Sequence, residues 1–298
     1  MIEVYKMGSS YYSGGIDKNS GLTEAFMISK TLKKVDDHGK DILVIINGVR
    51  DDDDIEYLSE RMTQTDLNVF IMSDSIAIKS NLDIINKCDI CLHQGIGYKF
   101  DEIECLQFYS YVPELFYKNA KAEYALMKNV HKKDLVMFGG NNLDRNDKFI
   151  DYEILNSDVY KAFVKLYDKD GETISDNRIS YEKYLRELAE CKYTLVICRE
   201  DYRRSNWITS RFFESIAMDC LPIIDEDYCR EENDLIIPIR TRDYATMIKF
   251  KNLCDLNNNR ENVLKIYHDK IEKRMDMFAI RFDVYIRFSE QLRRKENV

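Results

Sequence analysis

The run from Asn206 to Ile224, NWITSRFFESIAMDCLPII, sets Arg211 and Glu214 three residues apart on a helical stretch that leads straight into an apolar strand. Residues at that spacing share one helix face. An arginine in the first turns can grip a diphosphate with help from the positive helix end, and a carboxylate beside it can accept the two hydroxyls of a ribose. The same spacing also describes a salt-bridged pair on a solvated helix. Phe138-Gly139-Gly140-Asn141-Asn142 comes directly off another apolar run. Paired glycines there let backbone N–H groups approach a phosphate or sugar, or simply make a tight turn between strand and helix. Asp74, in Phe70-Ile71-Met72-Ser73-Asp74, stands just past a strand end. A partly desolvated carboxylate there can act as a general base, and an aspartate at such a place also caps turns and helices. Glu24, after Thr23 and near Gly14-Gly15, reads either as a surface helix carboxylate or as a site group.

Other clusters carry less. Cys88-Asp89-Ile90-Cys91 with His93 and Cys105 has the ligand types of a zinc site, but no second Cys-x-x-Cys accompanies it and it lies in an apolar, strand-like run. The four aspartates Asp51 to Asp54 read as a solvated turn. Lys118, Lys121, Lys128, His131, Lys132 and Lys133, interleaved with Tyr117 and Tyr124, are the kind of run that touches a phosphate backbone, although such a run is more often a solvated helix face.

Short apolar runs recur along the chain: Ile42 to Ile46, Val69 to Met72, Leu135 to Phe138, Thr194 to Cys198, Leu221 to Ile224 and Leu235 to Ile239. Runs this short and continuous suit strands buried on both faces of a parallel sheet. Helix-like stretches such as Leu22 to Leu32 and Tyr181 to Leu188 lie between them, so the class is α/β. In such sheets ligands bind beyond the carboxyl ends of the strands, which is where the candidates above stand. A charged break at His131 to Lys133 marks a domain boundary, giving domains at 1–133 and 134–275. From Arg260 onward, Val263, Ile266, Tyr267, Ile271, Met275, Phe278, Ile280 and Tyr285 have the spacing of long amphipathic helices.

Composition limits the alternatives. The chain has 298 residues, 45% hydrophobic and 33% charged, with three prolines, eleven glycines, twenty tyrosines and fourteen phenylalanines. That excludes a disordered or collagen-like protein. No apolar run approaches the roughly 20 residues of a membrane span, and Met1 to Ser10 lack the pattern of a secretory signal, so a cytosolic location without membrane contact is expected. The eight cysteines mostly sit in apolar runs and do not imply disulfides. Forty-four basic against fifty-three acidic side chains give a net charge of −9, so any phosphate-binding surface must be local.

The order Asn-aromatic-Ile-Thr-x-Arg-x-x-Glu-x-x-Ala-x-Asp over Asn206 to Asp219 resembles the nucleotide-binding helix of the T-even phage DNA β-glucosyltransferases. Lys6-Met7-Gly8, Ser73-Asp74, His93-Gln94-Gly95-Ile96, Pro113-Glu114, Phe138-Gly139-Gly140, Arg178-Ile179 and Ile223-Ile224-Asp225-Glu226 resemble further landmarks in the same order. The resemblance implies a GT-B fold of two Rossmann-like domains facing a central cleft, with a C-terminal helix, 276–298, packing back on the first domain. It implies transfer of glucose from UDP-glucose to the hydroxymethyl group of a modified cytosine in duplex DNA, with inversion and with the target base flipped out of the stack. A modified uracil is a second possible acceptor. Carried over by motif, Asp74 is the general base and Glu24 lies near the sugar. Gly139, Gly140 and Asn141 match the phosphate loop, and Ile179 matches the backbone contact to uracil. Glu200 and Tyr202 belong to the nucleotide site, Arg211 to the diphosphate and Glu214 to the ribose. Where the family has two arginines after the double glycine, this chain offers Arg145 and Lys148; Glu200 or Asp201 stands for the acidic residue upstream of the nucleotide helix, and Arg203-Arg204 replaces a less basic pair. The implied protein is a phage-encoded monomer in the infected host's cytoplasm, aided at most by a weakly held Mg2+ or Mn2+. A UDP-sugar transferase with a glycan or small-molecule acceptor, and a binding protein without turnover, are the competing readings.

Overall fold

The computed structural model describes residues 1–8, 18–48, 50–73, 78–95, 99–110, 113–141, 160–167, 173–176, 179–196, 202, 204–225, 240–241 and 250–296. Asp74, Arg145 and Glu200 lie outside them, as does the apolar run Leu235 to Ile239.

The chain divides into two compact units, Met1–Leu115 with Met275–Val298, and Phe116–Arg274. The first is built on β1 (Ile2–Lys6), α1 (Lys18–Leu32), β2 (Ile42–Ile46), α2 (Asp52–Arg61), β3 (Leu67–Met72), α3 (Ile78–Ile85), β4 (Ile90–His93) and β5 (Leu106–Tyr109). Its five strands stand in sequence order, every pairing parallel. The register aligns Val4, Val44, Val69, Ile90 and Leu106 across the sheet. β2 is a continuous Ile/Val/Leu run and β3 is apolar except for Asn68; both are buried at every position, as strands covered by helices on both faces must be. β1 is an edge strand, half-buried until Lys6, which is why charged residues interrupt it.

α2 starts at a capping box. Asp51 accepts from the Asp54 backbone N–H, while the Asp54 side chain accepts from the Asp51 N–H. The acidic run is therefore a helix start and not a solvated turn: Asp54 is buried and also accepts from the Tyr5 hydroxyl at 2.7 Å and the Gly8 N–H at 2.8 Å.

The second unit takes in most of α4 (Pro113–Leu126), followed by β6 (Lys133–Asn141), β7 (Tyr160–Tyr167), β8 (Thr173–Asp176), α5 (Tyr181–Ala189), β9 (Cys191–Val196), α6 (Ser210–Ala217), β10 (Leu221–Asp225), β11 (Arg240–Thr241) and α7 (Phe250–Glu272). The sheet order is β11-β10-β9-β6-β7-β8. All pairs are parallel except β7 with β8, an antiparallel edge. The division between units falls within α4, ahead of Lys133. Tyr117 and Lys121 of that helix are bonded to His268 and Glu272 of α7.

The last helix, α8 (Met277–Glu296), belongs to the first unit. It buries Phe278, Phe282 and Ile286, four apart. Tyr285 stacks on Phe108 at 4.3 Å and donates to the Tyr109 carbonyl at 2.8 Å. Ile280, counted with the apolar face in the sequence, is 55% exposed, because it is two positions out of step with that stripe.

Candidate functional site

In the second unit the chain runs from β6 to β7 and β8 on one side, then returns to β9 on the other side of β6. The order of strands therefore reverses between β6 and β9, and the crevice beyond the carboxyl ends of such a pair is the place where open α/β sheets hold ligands. Gly139, Gly140 and Asn141 end β6 there. They do not form a turn: the strand continues through them, pairing with Phe163, Val164 and Lys165 of β7. Pairing with β9 is described only as far as Met137 with Thr194, so the glycine segment lies along the switch point with its β7 edge alone in the described ladder.

α5 and α6 both begin at the same edge, since α5 leads into β9 and α6 follows it. Ser180 caps α5 by accepting from the Lys183 N–H, with Ile179 immediately before it. Thr209 is the N-cap of α6. Ahead of α6, the Trp207 N–H donates to the Tyr202 carbonyl at 2.8 Å, and the Tyr202 ring stacks on Trp207 at 5.9 Å and 22°. Asn206 takes the left-handed conformation this tight approach requires, φ 50°, which asparagine tolerates.

α6 buries Phe212 through Ala217, and Glu214 with them at 3% exposure. The solvated ion-pair reading of Arg211 and Glu214 is thereby excluded. Instead the Tyr181 hydroxyl donates to Glu214 Oε1 at 2.8 Å. Burial pushes the Glu214 carboxyl up to about 7, against the pull of the Tyr181 bond, the Arg211 charge and the Tyr184 hydroxyl. Burial and the Glu214 charge hold both tyrosines well above the usual phenol range. The sequence did not single out Tyr181; its signal is its place two residues after Ile179, in the first turn of a capped helix. Together these groups make a carboxylate near its titration point, with a phenol donor behind it and an arginine one helical turn earlier, a set suited to vicinal hydroxyls and a diphosphate.

In the first unit, Glu24 is buried and pairs with Lys6, 3.2 Å from Nζ to Oε2, so it is not a surface carboxylate. Lys6 also donates to the Asn47 carbonyl. Both partners stand at the carboxyl ends of neighbouring strands. His93 ends β4, edge-on to Phe100 at 5.3 Å, and burial lowers its imidazole to about 4, so the ring is neutral.

Part of the basic run is paired within the chain, while Lys121, Lys128, His131 and Lys133 stay exposed, as on a solvated helix face. Tyr117 is fully buried, Lys121 pairs with Glu272, Lys133 pairs with Glu190 at 3.4 Å, and Lys132 donates to the Met218 carbonyl at the end of α6. Burial lowers the Lys132 amine to about 8. Lys128, His131, Lys133 and Arg186 line a cavity of about 720 Å³ at the amino-terminal edge of the sheet, away from the switch point. Cys88, Cys91, Cys105, Cys191 and Cys220 are free thiols. Among the described residues no three His, Cys, Asp or Glu side chains converge to hold a metal ion, and no helix is long and apolar enough to cross a membrane.

No protein-family model and no curated protein matches the chain. Solved structures do. The DNA-modifying enzyme β-glucosyltransferase, crystallised with and without its substrate uridine diphosphoglucose, is 14% identical with a TM-score of 0.62, over 96% of this chain and 99% of that one. A mutant of the T4 phage enzyme in complex with UDP-glucose is 15% identical with a TM-score of 0.63, over 96% and 99%. An α-glucosyltransferase in complex with UDP and a 13-mer DNA is 10% identical with a TM-score of 0.57, over 96% and 98%. The chain thus has the α/β GT-B fold of these glucosyltransferases.

Proposed function

We propose that the protein is a UDP-sugar-dependent glycosyltransferase that moves a hexose, glucose by preference, onto the hydroxymethyl group of a modified pyrimidine in duplex DNA. 5-Hydroxymethylcytosine is the favoured acceptor and 5-hydroxymethyluracil the second. The observation that carries this reading is the buried Glu214 carboxylate, held by Tyr181 between two helices that begin at the carboxyl edge of the second unit's sheet. The fold shared with DNA glucosyltransferases supports the choice of acceptor.

In this account the first unit takes the DNA and supplies Asp74 and Glu24, and the second holds the nucleotide. Glu214 accepts the ribose hydroxyls, the Ile179 backbone meets the uracil, and Glu200 and Tyr202 complete the nucleotide site. A primary hydroxyl is a weak nucleophile, so Asp74 takes its proton as the oxygen attacks the anomeric carbon from the face opposite UDP. The new C–O bond forms as the bond to the diphosphate oxygen breaks, which inverts the carbon. Charge gathers on the departing diphosphate and is met by Arg211, Arg145, the backbone of Gly139, Gly140 and Asn141, and the start of α6. A stacked base cannot reach such a site, so the target nucleotide is flipped out. The protein acts as a phage-encoded monomer in the infected cell, where the added sugar shields the base from nucleases.

The test is mass spectrometry of nucleosides from duplexes carrying either hydroxymethylated base, incubated with the protein and a panel of UDP-sugars. A hexose gained by one base fixes reaction, acceptor and donor together. No gain on either base, with UDP still bound, refutes the DNA reading and leaves a non-DNA acceptor or a protein that only binds.

A further inference from the structure

Buried polar atoms without a hydrogen-bond partner are rare in folded proteins, so a group of them in one place calls for a reason. The first unit has such a group at the carboxyl ends of β4 and β5. Gln94 and Ser110, the residues directly after these strands, are 4% and 1% exposed. Among the described residues neither the Gln94 amide nor the Ser110 hydroxyl makes a hydrogen bond, and Nδ1 of the buried His93 makes none either. Open α/β sheets bind their ligands at this edge. The other neighbour of β4 is β3, the strand that leads to Asp74.

The register sets Gln94 and Ser110 side by side. The Ser110 N–H donates to the His93 carbonyl at 2.6 Å, repeating further along the ladder the bond from the Leu106 N–H to the Asp89 carbonyl, so Ser110 stands opposite Gln94 as Leu106 stands opposite Ile90. Residues opposite each other share a face of the sheet, here that of Leu92 and Phe108. On that face α8 steadies the edge strand, where Tyr285 stacks on Phe108 and donates to the Tyr109 carbonyl. An amide beside a hydroxyl offers donors and acceptors without charge. Glu114, buried four residues after Ser110 in the first turn of α4, disfavours a phosphate or carboxylate there. The set fits the edge of a neutral heterocycle. With no protein bond among the described residues to fix the Gln94 amide, its Oε1 and Nε2 can exchange places.

We propose that Gln94 and Ser110 read the Watson–Crick edge of the flipped pyrimidine, and that the Gln94 amide turns to accept either base. With cytosine, Oε1 accepts from the 4-amino group and Nε2 donates to N3. With uracil, Nε2 donates to O4 and Oε1 accepts from the N3–H. The Ser110 hydroxyl donates to O2, which both bases carry. The inference rests on the DNA-transfer reading. It makes hydroxymethyluracil an acceptor within about tenfold of hydroxymethylcytosine, because an amide that turns forfeits the discrimination of a fixed bidentate pair.

Transfer kinetics from UDP-glucose to duplexes carrying either base test it, alongside calorimetry with UDP and thermal melts of the unliganded protein. The wild type modifies both duplexes, with kcat/KM values within about tenfold of each other. Gln94→Leu lowers kcat/KM for both by about tenfold or more, and Ser110→Ala lowers both by a smaller, equal factor. Each variant keeps the wild-type affinity for UDP. Neither lowers the thermal midpoint, because each removes a buried polar group that has no partner within the protein. Unchanged kcat/KM in both variants, as when water alone meets these groups, overturns the proposal. A wild type that discriminates between the two bases by more than about tenfold also overturns it, while sparing the transfer reading. A wild type that modifies neither duplex with UDP-glucose bound refutes the DNA reading itself and this inference with it.

Discussion

The Tyr181 hydroxyl donates to the Glu214 carboxylate at 2.8 Å, joining the first turn of α5 to the middle of α6. This contact ties together two helices that share a sheet edge, and several consequences can be measured.

On the proposed reading Glu214 accepts ribose hydroxyls more strongly when ionised, and burial raises it to about 7. UDP therefore binds more tightly as pH rises through about 7 and more weakly below it. Stability runs the other way. A carboxyl raised on folding contributes stability that is fully present below its unfolded value, 4.5, and is lost as pH rises through the folded one. In the unliganded protein the loss amounts to about 3 kcal/mol between those limits. Glu214→Gln flattens both profiles and weakens UDP; calorimetry and thermal melts across pH 5 to 8 read the two effects, and parallel slopes in wild type and variant would refute the assignment.

Tyr181→Phe removes the donor and leaves the carboxylate buried without it. UDP affinity falls by about 1–3 kcal/mol, the cost of an unmet buried acceptor, and the midpoint of its pH dependence moves upward. An unchanged midpoint in a UDP titration would mean that Tyr181 does not hold the ionised form.

Gly48→Ala sets a methyl 2.1 Å from the Met7 carbonyl oxygen, a backbone atom that cannot swing aside. Stability drops by about 1–3 kcal/mol or more, as expected of overpacking against backbone. Chemical denaturation checks it, and a wild-type midpoint would show that the β1 and β2 ends are less tightly pinned.

Asp54→Ala cuts the acceptor shared by Tyr5, Gly8 and Asp51. The loss of this buried cap costs about 1–3 kcal/mol. Asp53→Ala, which removes an exposed carboxylate one position earlier, is the matched control for the same denaturation experiment.

The parts of the fold that were legible in the sequence are those where one local pattern decides. Ile42 to Ile46 and Leu221 to Ile224 are continuous apolar runs, and they became β2 and β10 with bounds shifted by at most one residue. β1 escaped because an edge strand carries Glu3 and Lys6 among its apolar residues, and β8 because its antiparallel pairing follows a different pattern from its neighbours. The acidic run at Asp51 hid a helix start, although an aspartate followed three residues later by another is a cap signature. Arg211 and Glu214 could be found from their spacing, whereas Tyr181 could not be linked to Glu214, because the pairing depends on how α5 and α6 flank β9. Lys6 with Glu24 is the same case: the contact exists only once β1 and α1 have packed.

Transfer itself is read most directly by single-turnover mass spectrometry of a hydroxymethylcytosine duplex with UDP-glucose, comparing the wild type with Asp74→Asn at matched UDP occupancy. The account predicts one hexose added to the target base by the wild type and none by Asp74→Asn, with UDP affinity the same in both. Transfer by Asp74→Asn at the wild-type rate would contradict Asp74 as the base, and an unmodified duplex from a wild type saturated with UDP-glucose would contradict the assignment of this acceptor.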